Sequence, residues 1–308
     1  MANPVIGFCG TGLLGAPIIR RLLKAGHRVH VWNRSPEKAQ ALVADGATVH
    51  QSPAALASQC QVVFLCLTDD AAVEATVFGD NGLAVQPLAT IVDHSSLSPR
   101  ATREFARRWH ELSGHGWVDA PVSGGVRGAE AGTLTIMAGG AADDVEQVTS
   151  LMRAYAARVT HMGSAGAGQA AKLCNQTIVA STVTAIAEAV ALAHDAGIEA
   201  GKLHQALAGG WADSTLLQLF VPRMTAPVHD KLGTVYTMWK DIENVARLAE
   251  STGTRMAVLG AVHDTFRRAR EQGVEDEDLS AIVQVPWPGQ PADIALRSNP
   301  AQSPKAAS

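Results

Sequence analysis

The segment Val5-Ile6-Gly7-Phe8-Cys9-Gly10-Thr11-Gly12-Leu13-Leu14-Gly15 constrains what this chain can fold into more than any other. Its first residues fit a strand buried on both faces, and the three glycines then let the backbone turn and restart as a helix. Gly10 permits the sharp turn, Gly12 leaves bare backbone open to a pyrophosphate, and Gly15 lets the new helix lie close to the strand. The first amides of that helix face the anion. Glycine turns are common, so the order strand, turn, helix carries the reading. An amphipathic run over 18–23 follows the motif, and a second apolar strand over 28–32 ends at Asn33.

Strand-like runs over 4–9, 28–32, 62–67, 90–93 and 116–119 alternate with helix-like runs such as 13–25 and 36–45. That alternation predicts an α/β fold with a doubly wound, mostly parallel sheet. Such sheets bind ligands beyond the carboxyl ends of their strands. The loops 10–15, 33–35, 68–70, 94–99 and 120–125 should therefore gather around one cleft. After Met162 strand signals stop, and the spacing predicts helices over 166–195, 200–209, 214–224, 240–252 and 256–272. The expected organisation is a dinucleotide-binding domain over 1–163, an all-helical substrate and oligomerisation domain over 164–292 joined by the long helix, and a disordered tail over 293–308.

The 308 residues suffice for two ordinary domains. With 47% hydrophobic and 18% charged residues and a net charge of -4, the chain reads as globular, without the cationic excess that a nucleic acid partner needs. Met1-Ala2-Asn3-Pro4 runs straight into the first strand with no secretory signal, so a cytoplasmic location is expected. Cys9, Cys60, Cys66 and Cys174 lack the paired spacing of a zinc site or dithiol, so no metal is expected and the four read as reduced, buried small hydrophobes. The segment 177–194 is apolar enough to suggest a membrane span, but Glu188, Thr177, Ser181, Thr182 and Thr184 favour a helix buried in protein, and no membrane partner is expected.

Three further groups bear chemistry. Lys172, Asn175 and Gln176 share one helix face, where an amine can exchange a proton and an amide can fix substrate oxygens. The run Asp119-Ala120-Pro121-Val122-Ser123-Gly124-Gly125 offers successive backbone N–H groups and a hydroxyl to an anion such as a carboxylate. At the end of the second strand stands Asn33-Arg34-Ser35, without the carboxylate that accepts an NAD ribose hydroxyl. Arg34 can instead bond a 2′-phosphate, with Ser35 adding a hydroxyl or capping the helix that begins at Pro36, which favours NADP. Arg34 stacking on adenine, with NAD also used, is the alternative.

Taken together, residues 10–15, 119–125 and 166–175, with Gly132-Thr133-Leu134-Thr135-Ile136-Met137-Ala138-Gly139-Gly140 and Lys240-Asp241, resemble the β-hydroxyacid dehydrogenase family over about residues 4–285. That family includes 3-hydroxyisobutyrate dehydrogenases, tartronate semialdehyde reductases and glyoxylate/succinic semialdehyde reductases. The resemblance implies an N-terminal Rossmann domain, a C-terminal helical domain, catalysis where they meet, and a homodimer or homotetramer. It implies hydride transfer between NAD(P) and a small carboxylate-bearing aldehyde or hydroxy acid, with Lys172 as the catalytic acid/base. Asn175 would contact substrate, and Ser123, Gly124 and Gly125 would bind its carboxylate. Gly10, Thr11, Gly12, Leu13, Leu14, Gly15, Asn33, Arg34, Ser35, Leu67 and Thr68 would line the nucleotide, Ser96 would lie beside the nicotinamide, and Lys240 would stand near the cofactor. The alternative for Lys240 is a surface pair with Asp241 or Asn244. The stretches 209–214 and 220–223 match no one activity of the family, so the substrate stays open. Imine reductases share the architecture but usually lack the lysine at position 172, and a nucleotide-sensing module without chemistry is the reading from outside enzymology.

Overall fold

The computed structural model describes residues 4–286. The chain divides into two compact units, Met1–Lys172 and Leu173–Ser308. The expected disordered tail over 293–308, and the last residues expected for the helical domain, 287–292, lie outside the described residues.

Among the described residues of the first unit, nine strands form one sheet: β1 (Ile6–Cys9), β2 (Val29–Trp32), β3 (Thr48–Val49), β4 (Val62–Leu65), β5 (Thr90–Asp93), β6 (Trp117–Asp119), β7 (Val122–Ser123), β8 (Leu134–Gly139) and β9 (Ala156–Gly163). Their order is β3-β2-β1-β4-β5-β6-β8-β7, with β9 against β8. From β3 to β6 every pairing is parallel, while β8 runs antiparallel to β6 and β7. The 3-2-1-4-5-6 run is the doubly wound order.

Alternation along each strand explains the uninterrupted apolar runs. Ile6 and Phe8 of β1, Phe64 of β4, Val92 of β5 and Val118 of β6 enter one core with Ile18, Ile19 and Leu22 of α1 (Gly15–Lys24). Their neighbours Cys9, Val63, Leu65, Ile91 and Trp117 enter a second core. Fully burying one such large side chain contributes about 1.5–3 kcal/mol, so both faces of the sheet are held by apolar transfer. Between the strands run α2 (Pro36–Gln40), α3 (Pro53–Ala57), α4 (Asp70–Phe78), α5 (Pro99–Ser113), α6 (Gly125–Ala131) and α7 (Ala142–Met152). The helix expected over 36–45 is shorter, because after α2 the chain passes into a 3-10 turn at Val43–Asp45 that ends at the left-handed Gly46.

The second unit is helical. The helix α8 (Ala167–Asp195) begins in the first unit and runs into the second, which adds α9 (Leu203–Ala206), α10 (Thr215–Thr225), α11 (Val235–Thr252) and α12 (Ala257–Glu271). The helix expected over 200–209 is reduced to a 3-10 turn at Ala200–Lys202 followed by the single turn of α9. Val183, Ile186 and Val190 of α8 pack with Phe220, Ile242 and Phe266 in one core. By length and composition α8 could cross a membrane; one face of it enters this core, while Ile178 and Leu192 are exposed, so the helix expected to be buried in protein is buried on one side only.

One expectation about the cysteines fails. Cys9 and Cys60 are buried and Cys66 is half-buried, but Cys174 is exposed. Two positions beyond Lys172, it has turned about 200° around α8 and lies on its outer side.

Candidate active site

The glycine turn is built by close approach at two of its glycines. Gly10 has φ +106°, and a Cβ there would collide with the Cys66 carbonyl; a Cβ on Gly15 would collide with the Gly10 carbonyl. A Cβ on Gly12 would meet nothing within 4 Å. The fold therefore requires Gly10 and Gly15, whereas Gly12 borders open space of the kind a pyrophosphate fills. The turn is fastened to its neighbours: Gly10 N–H donates to the Trp32 carbonyl at 3.0 Å, and Thr11 N–H donates to Asn33 Oδ1 at 2.9 Å. Asn33 in turn donates from Nδ2 to the Ser35 carbonyl at 3.1 Å, so one side chain shapes both loops.

Beyond the carboxyl ends of β1, β2 and β4 lies a cleft of about 360 Å³ that brings together Gly10, Gly12, Asn33, Arg34, Ser35, Leu67 and Thr68. That volume is in the range of small-molecule sites. Trp32, Lys38, Pro53, Cys66 and Asn81 also line it, and among the described residues no acidic one does. Lys38 was missed in sequence, although it stands one helical turn after Ser35. Ser35 makes no capping bond to α2, so of its two possible roles the cap is not made and its side chain stays on the cleft. Leu13 is exposed and Leu14 packs against the core behind the turn; neither lines the cleft. A dinucleotide fits this arrangement: bare backbone at Gly12, a helix N-terminus for an anion, and cations at one end.

Next along the sheet edge, the loops after β5 and β6 are cross-linked. Asp93 and Asp119 face each other in the register of the two strands. Burial, opposed by hydrogen bonds from Ser95 and reinforced by the charge of Asp119, pushes Asp93 up to about 7. Burial likewise pushes Asp119 up to about 6, against backbone N–H groups that favour its charge. In the loop after β5 His94 is buried, with Nδ1 2.6 Å from the Ala120 carbonyl and Nε2 2.8 Å from the Tyr155 hydroxyl. Burial brings His94 down to about 4, so the ring is neutral at neutral pH. Its Nδ1–H donates to Ala120 and its Nε2 accepts from Tyr155.

Asp119 also determines where α8 starts. Its Oδ1 accepts the Gly166 N–H at 2.8 Å and its Oδ2 accepts the Gln169 N–H at 2.9 Å, tying the first turn of the helix to the end of β6. Lys172 follows on the next turn and is half-buried. Ser96 is half-buried in the loop after β5. Ser123 belongs to β7, and Gly124 and Gly125 are exposed, with φ +123° and +60°.

In the second unit Asn175 Nδ2 donates to Gln176 Oε1 at 2.8 Å, and Gln176 Nε2 donates to Asp241 Oδ2 at 2.6 Å. Gln176 is thus engaged in joining α8 to α11. Lys240 is half-buried beside Asp241. Among the described residues no group of three or more His, Cys, Asp or Glu is placed to hold a metal ion.

A parallel sheet with a glycine turn and cleft at its carboxyl edge, followed by a helical unit, defines a dinucleotide-binding protein. Two family models match in succession: the NAD binding domain of 6-phosphogluconate dehydrogenase over residues 5–163, and the NAD-binding domain of NADP-dependent 3-hydroxyisobutyrate dehydrogenase over 166–286. The 2-hydroxy-3-oxopropionate reductase of Escherichia coli is 34% identical over 281 residues, covering 91% of this chain and 96% of that protein. A structure of Mycobacterium tuberculosis 3-hydroxyisobutyrate dehydrogenase with L-serine matches with a TM-score of 0.79 at 30% identity, covering 92% of this chain and 99% of that one. An imine reductase from Pseudomonas sp. matches at 21% identity with a TM-score of 0.61, over 92% of this chain and 99% of that one, a likeness of fold alone. The chain belongs to the β-hydroxyacid dehydrogenase family of NAD(P)-dependent oxidoreductases.

Proposed function

We propose that this protein interconverts a small 3-hydroxy or 2-hydroxy carboxylic acid and its semialdehyde, with NADP(H) preferred over NAD(H). The observation that carries the chemistry is the start of α8. Asp119 pins that turn to the carboxyl end of β6, and Lys172 comes three residues after Gln169, the second residue so pinned. The preference for NADP is supported by the cleft, where Arg34 and Lys38 stand with Ser35 and, among the described residues, no carboxylate. A 2′-phosphate finds two cations there and no opposing charge.

In this reading the turn from Gly10 to Gly15 receives the pyrophosphate through its backbone, with the side chains of Leu13 and Leu14 standing off the cleft. Asn33, Arg34 and Ser35 hold the adenosine end, and Leu67, Thr68, Ser96 and Lys240 complete the nucleotide site. When bound, the nicotinamide supplies hydride to the aldehyde carbon or accepts it from the alcohol carbon. Ser123, Gly124 and Gly125 anchor the substrate carboxylate, and Asn175 orients its oxygen. Lys172, protonated, stabilises the negative charge that grows on the carbonyl oxygen and delivers a proton from Nζ; in oxidation the neutral amine takes the alcohol proton. A cytoplasmic location and a homodimeric or homotetrameric assembly accompany the proposal.

The test is nucleotide consumption with glyoxylate, tartronate semialdehyde, succinic semialdehyde and methylmalonate semialdehyde, each with NADPH and NADH and without amine. Turnover of at least one of them, faster with NADPH, is expected. Binding of nucleotide without any turnover points to a sensor, and turnover only when an amine is added points to imine reduction; either result removes the proposal.

A further inference from the structure

We propose that Gln169 is a positioning residue whose carboxamide holds the Ser96 loop against the helical turn that carries Lys172. The inference rests on the roles proposed above for Ser96 and Lys172. Gln169 is 1% exposed and stands three positions before Lys172, on the same side of α8. Its Oε1 accepts the Leu97 N–H at 3.1 Å, and its Nε2 donates to the Ser95 carbonyl at 2.7 Å. These are the two residues that flank Ser96. A backbone N–H only donates and a carbonyl only accepts, so the two bonds fix which way the amide points.

The bridge is held at both ends. The Gln169 N–H is bound by Asp119 at 2.9 Å, so backbone and side chain of one residue are each tied to the sheet edge. On the other side Ser95 Oγ accepts the Leu67 N–H at 2.9 Å, which carries the connection on to the loop lining the nucleotide cleft. The segments after β4 and β5 and the first turn of α8 therefore share one chain of hydrogen bonds. Loops that follow strands are ordinarily the mobile parts of such a fold. Hydride and proton must arrive at neighbouring atoms of one carbonyl group, and a displacement of about 1 Å can cost on the order of 10²-fold in rate. A carboxamide that joins the Ser96 loop to the turn before Lys172 prevents the two from drifting independently.

The test compares Gln169→Leu, Gln169→Glu and Lys172→Ala in the full chain. It reads kcat and KM for the best semialdehyde, NADPH affinity by fluorescence, and melting temperature. Gln169→Leu should lower kcat on the order of 10–100-fold while NADPH affinity stays within about threefold, because geometry is lost and the nucleotide cleft is not. Gln169→Glu gives a readout that a fold-stabilising residue would not move. Protonated, the introduced carboxyl has one donor and one acceptor and replaces both bonds; ionised, it cannot donate to the Ser95 carbonyl. Its kcat relative to wild type should be highest near pH 5 and fall by on the order of tenfold toward pH 8, since burial raises the group above its ordinary ~4.3. Asp119 on β6 and Asp93 on β5, the acidic groups facing this bridge, are present in both proteins. A kcat within about twofold of wild type for Gln169→Leu, or a Gln169→Glu ratio flat with pH, overturns the inference. Near-normal turnover of Lys172→Ala overturns the acid/base reading instead, and with it the purpose of the bridge.

Discussion

Asp93 and Asp119 stand opposite each other at the carboxyl ends of adjacent parallel strands, both fully buried, and their surroundings divide the labour between them. Asp119 accepts two backbone N–H groups from the start of α8. Asp93 accepts the Ser95 N–H at 2.9 Å through Oδ1, while its Oδ2 has no hydrogen-bond partner among the described residues. Two carboxylates this close in an apolar sheet do not both ionise readily. Asp93, raised to about 7, is the one that keeps its proton longer.

That pair makes stability depend on pH with a definite sign. Both folded values lie above the ordinary 3.8, so the folded chain binds more protons than the unfolded one between about pH 4 and pH 7. The stabilising contribution is complete below that window and is lost as pH rises through it. Thermal melts should therefore show a lower melting temperature at pH 8 than at pH 5. Asp93→Asn should shrink that difference by several degrees, since each tenfold gain in proton affinity on folding corresponds to about 1.4 kcal/mol. An unchanged difference in the variant would remove Asp93 as its source.

The three glycines of the turn should separate stability from binding. Gly10→Ala and Gly15→Ala place a methyl group against backbone carbonyls and should each cost on the order of 1–3 kcal/mol, read as a lower melting temperature. Gly12→Ala meets no atom within 4 Å, so its melting temperature should stay near wild type while NADPH affinity falls on the order of tenfold, the cost of one blocked contact. Loss of stability in Gly12→Ala with affinity intact would reverse the assignment.

Arg34 and Lys38 share the cleft. Removing a charge-assisted bond costs about 1.5–3 kcal/mol, so Arg34→Ala should raise KM for NADPH on the order of 10–100-fold and change KM for NADH far less. Lys38→Ala should act in the same direction, more weakly. Steady-state kinetics with both nucleotides checks this, and equal effects on the two would overturn the preference for NADP.

Lys172→Ala should lower turnover on the order of 10²–10⁴-fold, the usual range of a general acid/base, with NADPH affinity retained. A variant with near-normal turnover ends the mechanism.

Much of the first unit was legible because its strands are buried on both faces. Ile6 and Phe8 enter one core and Val5 and Cys9 the other, so every position is apolar and the run stands out in sequence. β3, β7, β8 and β9 were not read as strands, and β3 and β9 carry no such signal. β3 has only two residues, and in β9 most side chains are exposed, so backbone pairing alone makes the strand. The shape of the glycine turn and the place of Asn33-Arg34-Ser35 at the end of β2 could be read because both depend on residue type within a few positions. Lys38 escaped because it reaches the same cleft only after α2 has formed.

By itself the sequence determined the alternation of strands and helices, the glycine turn between β1 and α1, and the lysine with an amide on one helix face, since each of these is a property of residues within a turn or two of one another. The tertiary structure decided what Asp119 and Gln169 do. They bond partners 47 to 74 residues away, and Gly166, Ser95 and Leu97 meet them through backbone groups that every residue type except proline carries in full. A contact made to an N–H or a carbonyl leaves no mark on the partner's identity, so only the folded chain reveals it.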